Sequence, residues 1–188
     1  MKHDYEVVGP SFSLRPVSLS DAIFIHELRS NEYLNRFINH GATTVEEQET
    51  WITEYYKREN DYYFVITDNM DKSNHGLISA YGCTKNTSEW GRWVIKQGSL
   101  SALESAWLIY RFCFEVLKLS SVYCRTLKKN EKVVLFHNAM LGYTGFTLKN
   151  YVTLDGLSHD AVEHVLEADD WGSIRGGVLK KLERLSQR

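Results

Sequence analysis

KQGSLSALESA, residues 96–106, follows an aromatic and β-branched run (Trp90, Trp93, Val94, Ile95) and precedes a long apolar stretch at helical spacing. Strand, loop and helix in that order can offer the unpaired N–H groups and the positive dipole end of the helix to an anion. Gly98 allows a tight turn, and Ser101 with Glu104 reads as an S-x-x-E capping box that starts the helix at about Ala102. The segment has neither the G-K-[ST] of a P-loop nor a dinucleotide G-x-G-x-x-G. Its role therefore has to be read from the elements around it.

Downstream, Leu103, Ala106, Ile109 or Tyr110, Cys113 and Leu117 recur at helical spacing and read as the core-facing stripe of a helix over 102–117. Upstream, three strands (62–67, 76–84 and 89–95) are joined by DNMDKSNH and KNTS, short polar connections that suit an antiparallel meander. Before them come a strand over 11–17 and a helix starting at Ser20 and Asp21, with Ile23, Phe24 and Leu28 on one face. A second helix opens on a capping box, Thr43 or Thr44 to Glu46 or Glu47, repeats Val45, Ile52 and Tyr55, and ends around Asn60. After the central helix follow a strand (120–127) and a short helix (130–141) carrying Val133, Val134, Phe136 and Met140. A hairpin turning at Asp155 and Gly156 comes next. Last is a tail helix over 177–188 with Val178, Leu182 and Leu185 on one side. Arg175, Lys180, Lys181, Arg184 and Arg188 read as its solvated face.

Composition narrows the class. The 188 residues, 43% hydrophobic and 13% aromatic, suffice for one sizeable core and point to one domain. Twenty-two basic against 24 acidic residues argue against nucleic acid or an anionic membrane as the main partner. The most apolar stretch, WLIYRFCFEVL, is too short to span a bilayer and is interrupted by Arg111, so a soluble cytoplasmic protein is expected. Cys83, Cys113 and Cys124 are odd in number and form no C-x-x-C pair; they read as buried thiols, with neither a disulfide framework nor a metal site.

Four short patterns accompany this order of elements. Gln97, Gly98, Ser99, Leu100, Ser101 and Ala102 follow Q/R-x-x-G-x-G/A at Gln97 and Ala102, with Leu100 where glycine is usual. LKKNEKVVLFHNAMLGY follows N-x-x-A-x-x-L-Y-x-x-x-G-F, with Asn130 at the asparagine, His137 at the tyrosine, and Gly142-Tyr143 displaced one residue. EWGRW follows E-x-G-x-W/Y, and Asp155, Gly156, Asp160 and Trp171 follow D-G-x-x-x-D ending in tryptophan. From Leu14 to Trp171 the chain resembles the GNAT superfamily of N-acetyltransferases, in the branch of the ribosomal-protein and polyamine acetyltransferases. IKQGS and CRTLKKNEKVVLFH also resemble bacterial sugar-nucleotide N-acetyltransferases of surface-glycan pathways.

The resemblance implies an α+β fold, a central mixed and mostly antiparallel sheet flanked by helices, with a V-shaped splay between the fourth and fifth strands. It implies a single acetyltransferase-like domain over 1–188, with its core at 14–171, and acetyl-CoA as co-substrate. By the same resemblance the co-substrate meets Gln97, Gly98, Ser99, Leu100, Ser101, Ala102 and Asn130, and the main-chain N–H groups of Val94 and Ile95 face the oxyanion. An amine arrives as ammonium and must lose a proton, and Glu89, just ahead of the loop, is the candidate base.

His137 stands where the family has a tyrosine that protonates the leaving thiolate. An imidazole of pKa ~6.5 is protonated in roughly a quarter of molecules at pH 7, enough for an acid. A packed histidine fits the same position, and Tyr123 and Tyr143 are alternative acids. Between the first two helices, Arg29, Asn31, Tyr33 and Asn35, followed by Phe37, Asn39 and His40, suit a polar ligand such as a nucleotide-linked amino sugar. Only Glu27 and Glu32 are there to meet a polycation. The expected activity is acetyl transfer to such a small primary amine, by a monomer or homodimer. A peptide N-terminus or a polyamine is the alternative acceptor, and a non-catalytic CoA-binding or regulatory module, resting on Leu100, is the alternative of another class.

Overall fold

The computed structural model describes residues 2–35, 37, 41–154 and 156–186, and of Asn35 only the main chain. Asn39, His40, Asp155 and Arg188 lie outside the described residues. The strands are β1 (Val7–Val8), β2 (Phe12–Pro16), β3 (Tyr62–Asp68), β4 (Asn74–Tyr81), β5 (Thr87–Ile95), β6 (Ser121–Leu127), β7 (Phe146–Leu154) and β8 (Leu157–Glu167). The α-helices are α1 (Ala22–Ser30), α2 (Glu32–Asn35), α3 (Val45–Tyr55), α4 (Ala102–Arg111), α5 (Glu131–Leu141) and α6 (Ala168–Ser186).

The strands form one eight-stranded sheet in the order β1-β2-β3-β4-β5-β6-β8-β7, as the expected α+β architecture requires. Every neighbouring pair is antiparallel except β5 and β6. Those two pair in parallel at Thr87 with Ser121, Ser88 with Val122 and Glu89 with Tyr123, and there the ladder stops. β5 continues to Ile95 along β4, while β6 continues to Leu127 along β8. This is the expected V, and its apex is at Glu89.

Helices cover both faces of the sheet, so its central strands are buried on both sides. Along β3, Phe64 and Ile66 pack with α4 and α6, while Tyr63 and Val65 pack with α1 and α3. Each fully buried side chain of this size contributes about 1.5–3 kcal/mol relative to exposure. Among the described residues no helix is long and apolar enough to cross a membrane. The three cysteines are free and buried.

Several local expectations need correction. The buried face of α1 is Ala22, Ile25 and Leu28, whereas Ile23 is 58% exposed. The helix is entered through a 3-10 turn, Leu19–Asp21, which rephases it. At α3 the two threonines divide the cap: Thr44 Oγ1 accepts from Glu47 N–H at 3.2 Å, and Glu47 Oε2 accepts from Thr43 N–H at 2.8 Å. The helix stops at Tyr55, short of Asn60. At α4 the Ser101–Glu104 box does not form. Ser101 makes no side-chain cap bond, and Glu104, 3% exposed, reaches across to accept from Ser11 N–H (2.8 Å) and Phe12 N–H (2.9 Å) of the β2 start. Burial pushes the Glu104 pKa up, against those two bonds. The α-helix ends at Arg111 and continues as a π-helical turn, Phe112–Val116, with Leu117 N–H on Phe112 C=O at 3.0 Å. The tail helix begins at Ala168 rather than at residue 177, with Asp169 and Asp170 favouring its first turn. Its Leu185 is exposed, and its Arg175 is paired with Glu115 at 3.0 Å.

Candidate active site

Where β5 and β6 part, a cleft of about 530 Å³ opens. Its floor is Trp90 to Trp93 of β5; β6, the start of α5 and the β7–β8 hairpin form one side, and residues around α1 and α3 the other. Glu89, Asn130, His137 and Arg29 all line it, although they lie far apart in the chain.

A β-bulge shapes the floor. Gly91 opposes Ser79 and Val94 opposes Leu77, so Arg92 and Trp93 together face Ile78, and Arg92 takes φ +46°. The Arg92 guanidinium grips Asp61 with two bonds, 2.6 and 2.9 Å, and lies 4.6 Å from the centre of the Tyr81 ring. Trp93 Nε1–H donates to Ser105 Oγ at 3.1 Å, tying the bulge to α4. Beyond it, Lys96 N–H bonds His75 C=O at 2.8 Å. Because N–H groups alternate between the two edges of a strand, Ile95 N–H points away from β4, into the splay, and Val94 N–H points toward β4.

Glu89 sits at the apex. Tyr81 Oη–H donates to its Oε1 at 3.1 Å, and Arg125 Nη1 lies 3.4 Å from its Oε2. Burial raises the Glu89 pKa above the ordinary carboxylate value; the Tyr81 bond and Arg125 oppose this. Its proton affinity is thus higher than that of a surface glutamate.

His137 is 1% exposed and packed among Trp90, Trp93, Phe136 and His164, with ring centres 5.1–5.9 Å apart across the cluster. Burial first, and His164 second, hold its pKa down to about 3. At pH 7 the ring is neutral, so the protonated quarter assumed from its reference pKa is not present. Of the two tyrosines, Tyr143 donates to Val165 C=O and accepts from Val165 N–H, both at 2.6 Å, and is fully engaged. Tyr123 lies under Arg125, whose guanidinium is 4.7 Å from its ring centre.

In the loop, Gly98 takes φ +82°, a left-handed conformation that favours glycine, and Ser99 N–H closes a tight turn on Lys96 C=O at 3.1 Å. Leu100 is 88% exposed, so its side chain points to solvent and does not fill the turn. Among the described residues, the N–H groups of Gly98, Leu100 and Ala102 have no hydrogen-bond partner. That set of donors at a helix start, beside the splay, fits a pyrophosphate.

Asn130 occupies the N-cap position of α5, makes no side-chain cap bond and lines the cleft. Arg29 lines the cleft as well. Asn31 instead caps α2 through Leu34 N–H at 3.2 Å, and Tyr33 is exposed; neither lines the cleft. Reading the residues alone missed Trp51, Arg58, Tyr81, Arg92, Arg125 and Tyr151, all cleft-lining. For Arg92 and Arg125 the available signal was an arginine inside a strand, in EWGRW and SSVYCRTL. Among the described residues no cluster of three or more His, Cys, Asp or Glu could hold a metal ion.

A family model for the acetyltransferase (GNAT) domain matches residues 12–140. No curated protein matches the chain. Among solved structures it is similar to apo FdhC, a nucleotide-linked sugar GNAT, at 27% identity and TM-score 0.73, over 91% of this chain and 94% of that one. It is also similar to the spermidine N-acetyltransferase from Vibrio cholerae in complex with CoA and spermine, at 19% identity and TM-score 0.76, over 85% and 97% of the two chains. A GCN5-related N-acetyltransferase from Brucella melitensis shares the fold at 14% identity and TM-score 0.79, over 94% and 84%. With a family model spanning most of the sequence and a fold shared with these structures, the chain belongs to the GNAT family and is an acetyl-CoA-dependent N-acetyltransferase.

Proposed function

We propose that the acceptor is the primary amine of a nucleotide-linked amino sugar. The charge of the cleft carries this reading. Among the described residues lining it, four arginines (Arg29, Arg58, Arg92 and Arg125) stand against a single carboxylate, Glu89. Asp61 pairs with Arg92 and Arg58, and Arg125 with Glu163 and Glu89, so four arginines meet three carboxylates and the balance is positive by one charge. Guanidinium groups match diphosphate oxygens in pairs, and the same field disfavours a polycation. Trp51 and Tyr151 add aromatic surface for a base or sugar ring. The likeness to FdhC, a nucleotide-linked sugar GNAT, supports the same class.

Bound acetyl-CoA supplies an acetyl thioester. Gly98, Leu100 and Ala102 hold its pyrophosphate through main-chain N–H, flanked by Gln97, Ser99 and Ser101. Asn130 meets the pantetheine arm, and Ile95 N–H orients the acetyl oxygen from the splay. Glu89 takes the ammonium proton on a carboxylate oxygen, directly or through water, and burial makes it a stronger base than a surface glutamate. The neutral His137 imidazole has one N–H and acts as a hydrogen-bond donor on the sulfur side of the cleft. Arg29 orients the acceptor.

Thiol release from acetyl-CoA, measured across amino sugar nucleotides, peptides and spermidine, tests the reading. Turnover is expected with an amino sugar nucleotide, and turnover confined to peptides or polyamines would overturn it.

A further inference from the structure

A chain of side-chain hydrogen bonds runs behind the loop. Asp71 Oδ1 accepts from Ser73 Oγ at 2.6 Å, Ser73 Oγ lies 3.0 Å from His75 Nε2, and His75 Nδ1 lies 2.8 Å from Ser99 Oγ. Ser99 Oγ–H donates to Ser101 Oγ at 2.8 Å, and Ser99 Oγ accepts from Ser101 N–H at 3.1 Å. Counting hydrogens orients the chain. Ser73 has one hydroxyl hydrogen and spends it on the Asp71 carboxylate, so His75 Nε2 must carry a proton and donate to Ser73. Ser99 also has a single hydroxyl hydrogen and spends it on Ser101, so the contact at His75 Nδ1 needs a proton on that nitrogen too, and Ser99 Oγ accepts from it.

The same residue reaches the loop through its main chain, because His75 C=O accepts from Lys96 N–H at 2.8 Å. His75 thus holds the Lys96–Ser99 turn at both ends, from a neighbouring strand, outside the cleft lining. We propose that His75 is a positioning residue for acetyl-CoA: by pinning Ser99 it holds the turn in the shape that leaves the Gly98, Leu100 and Ala102 N–H groups directed at the pyrophosphate. No part of His75 touches the reacting atoms. The inference rests on the reading of residues 97–102 as the pyrophosphate segment.

Calorimetric titration with CoA, beside kcat and KM for acetyl-CoA, tests it on three variants. An asparagine amide falls near the Nδ1 position of histidine and a glutamine amide near Nε2. His75→Asn therefore keeps the bond to Ser99, whereas His75→Gln keeps only the bond to Ser73. His75→Ala and His75→Gln are expected to raise the CoA Kd and the acetyl-CoA KM about tenfold, with kcat changed less than about twofold. His75→Asn is expected to bind CoA nearly as the natural protein does. Ser99→Ala should match His75→Ala, and the double variant should be no worse than either alone. Equal weakening in all three His75 variants, or equal loss of kcat, would overturn the proposal in favour of a merely structural histidine.

Leu100→Asp separates the two levels. Its side chain is solvent-exposed, so the variant folds, and its charge would repel a pyrophosphate. If Leu100→Asp weakens CoA binding while His75→Ala does not, the His75 proposal fails and the loop reading stands. If neither variant affects CoA binding, the loop reading itself fails.

Discussion

Acidification below neutral pH should destabilise this protein through His137. The ring has a pKa of about 3 in the folded chain and ~6.5 in the unfolded chain. Between those values the unfolded state takes up a proton that the folded state refuses. Stability from this group is therefore complete above about pH 6.5 and is lost progressively as the pH falls toward 3. Summing the two titrations gives a loss of about 2 kcal/mol at pH 5 relative to the neutral plateau, and at most about 5 kcal/mol near pH 3. Urea unfolding at about pH 7.5 and pH 5, on the natural protein and on His137→Phe, isolates the effect. His164 and His3 are also depressed, by burial, and contribute the same sign of slope to both proteins. His164 lies against His137, ring centres 5.2 Å apart, so the difference between the two proteins reports His137 together with its coupling to His164. Phenylalanine also removes a buried ring nitrogen, Nδ1, that has no partner, so the variant is expected to lose nothing from that atom at neutral pH. If both proteins lose the same stability between the two pH values, His137 is not buried in its neutral form and the argument fails.

Other consequences follow from the same geometry. Glu89→Gln should lower kcat by about 10²–10⁴-fold and remove the acid limb of its pH profile, which lies above the position of an ordinary glutamate because burial raises the pKa; an unchanged profile removes Glu89 from the base role. Glu104→Ala should destabilise by about 2 kcal/mol or more, since Ser11 and Phe12 lose the acceptor of both N–H groups, whereas Glu104→Gln keeps that oxygen and should cost much less; thermal midpoints compare them. Gly98→Val should cost about 1 kcal/mol or more of strain at φ +82° and raise the acetyl-CoA KM, which steady-state kinetics reads directly.

Much of the fold was legible because strand signals here are local. The Tyr62 to Ile95 meander sets runs rich in aromatic and β-branched residues between short polar connections, and its three strands lie within a few residues of their expected bounds. Position in the chain brought Glu89, Asn130 and His137 together because the fold of the family does so. Long-range contacts decided the rest. Glu104 looked like a cap, yet its carboxylate serves two N–H groups about ninety residues away, a use that no local pattern encodes. His137 looked titratable because a sequence does not show burial among Trp90, Trp93 and His164. The arginine-lined cleft draws from stretches of chain between residues 29 and 154, so its charge emerges only when the sheet assembles. The tail helix crossed Gly172, Gly176 and Gly177 because Trp171 and Val178 are anchored against α4 and the π-turn, and packing outweighed propensity.

The acceptor is identified by kcat/KM for a nucleotide-linked amino sugar against kcat/KM for the same amino sugar without its nucleotide, with spermidine alongside, at one saturating acetyl-CoA concentration. The arginine-rich cleft predicts that removing the nucleotide costs about a hundredfold or more, equivalent to losing two or so charge-assisted contacts, with spermidine lower still. Equal values with and without the nucleotide, or spermidine as the best acceptor, would contradict it.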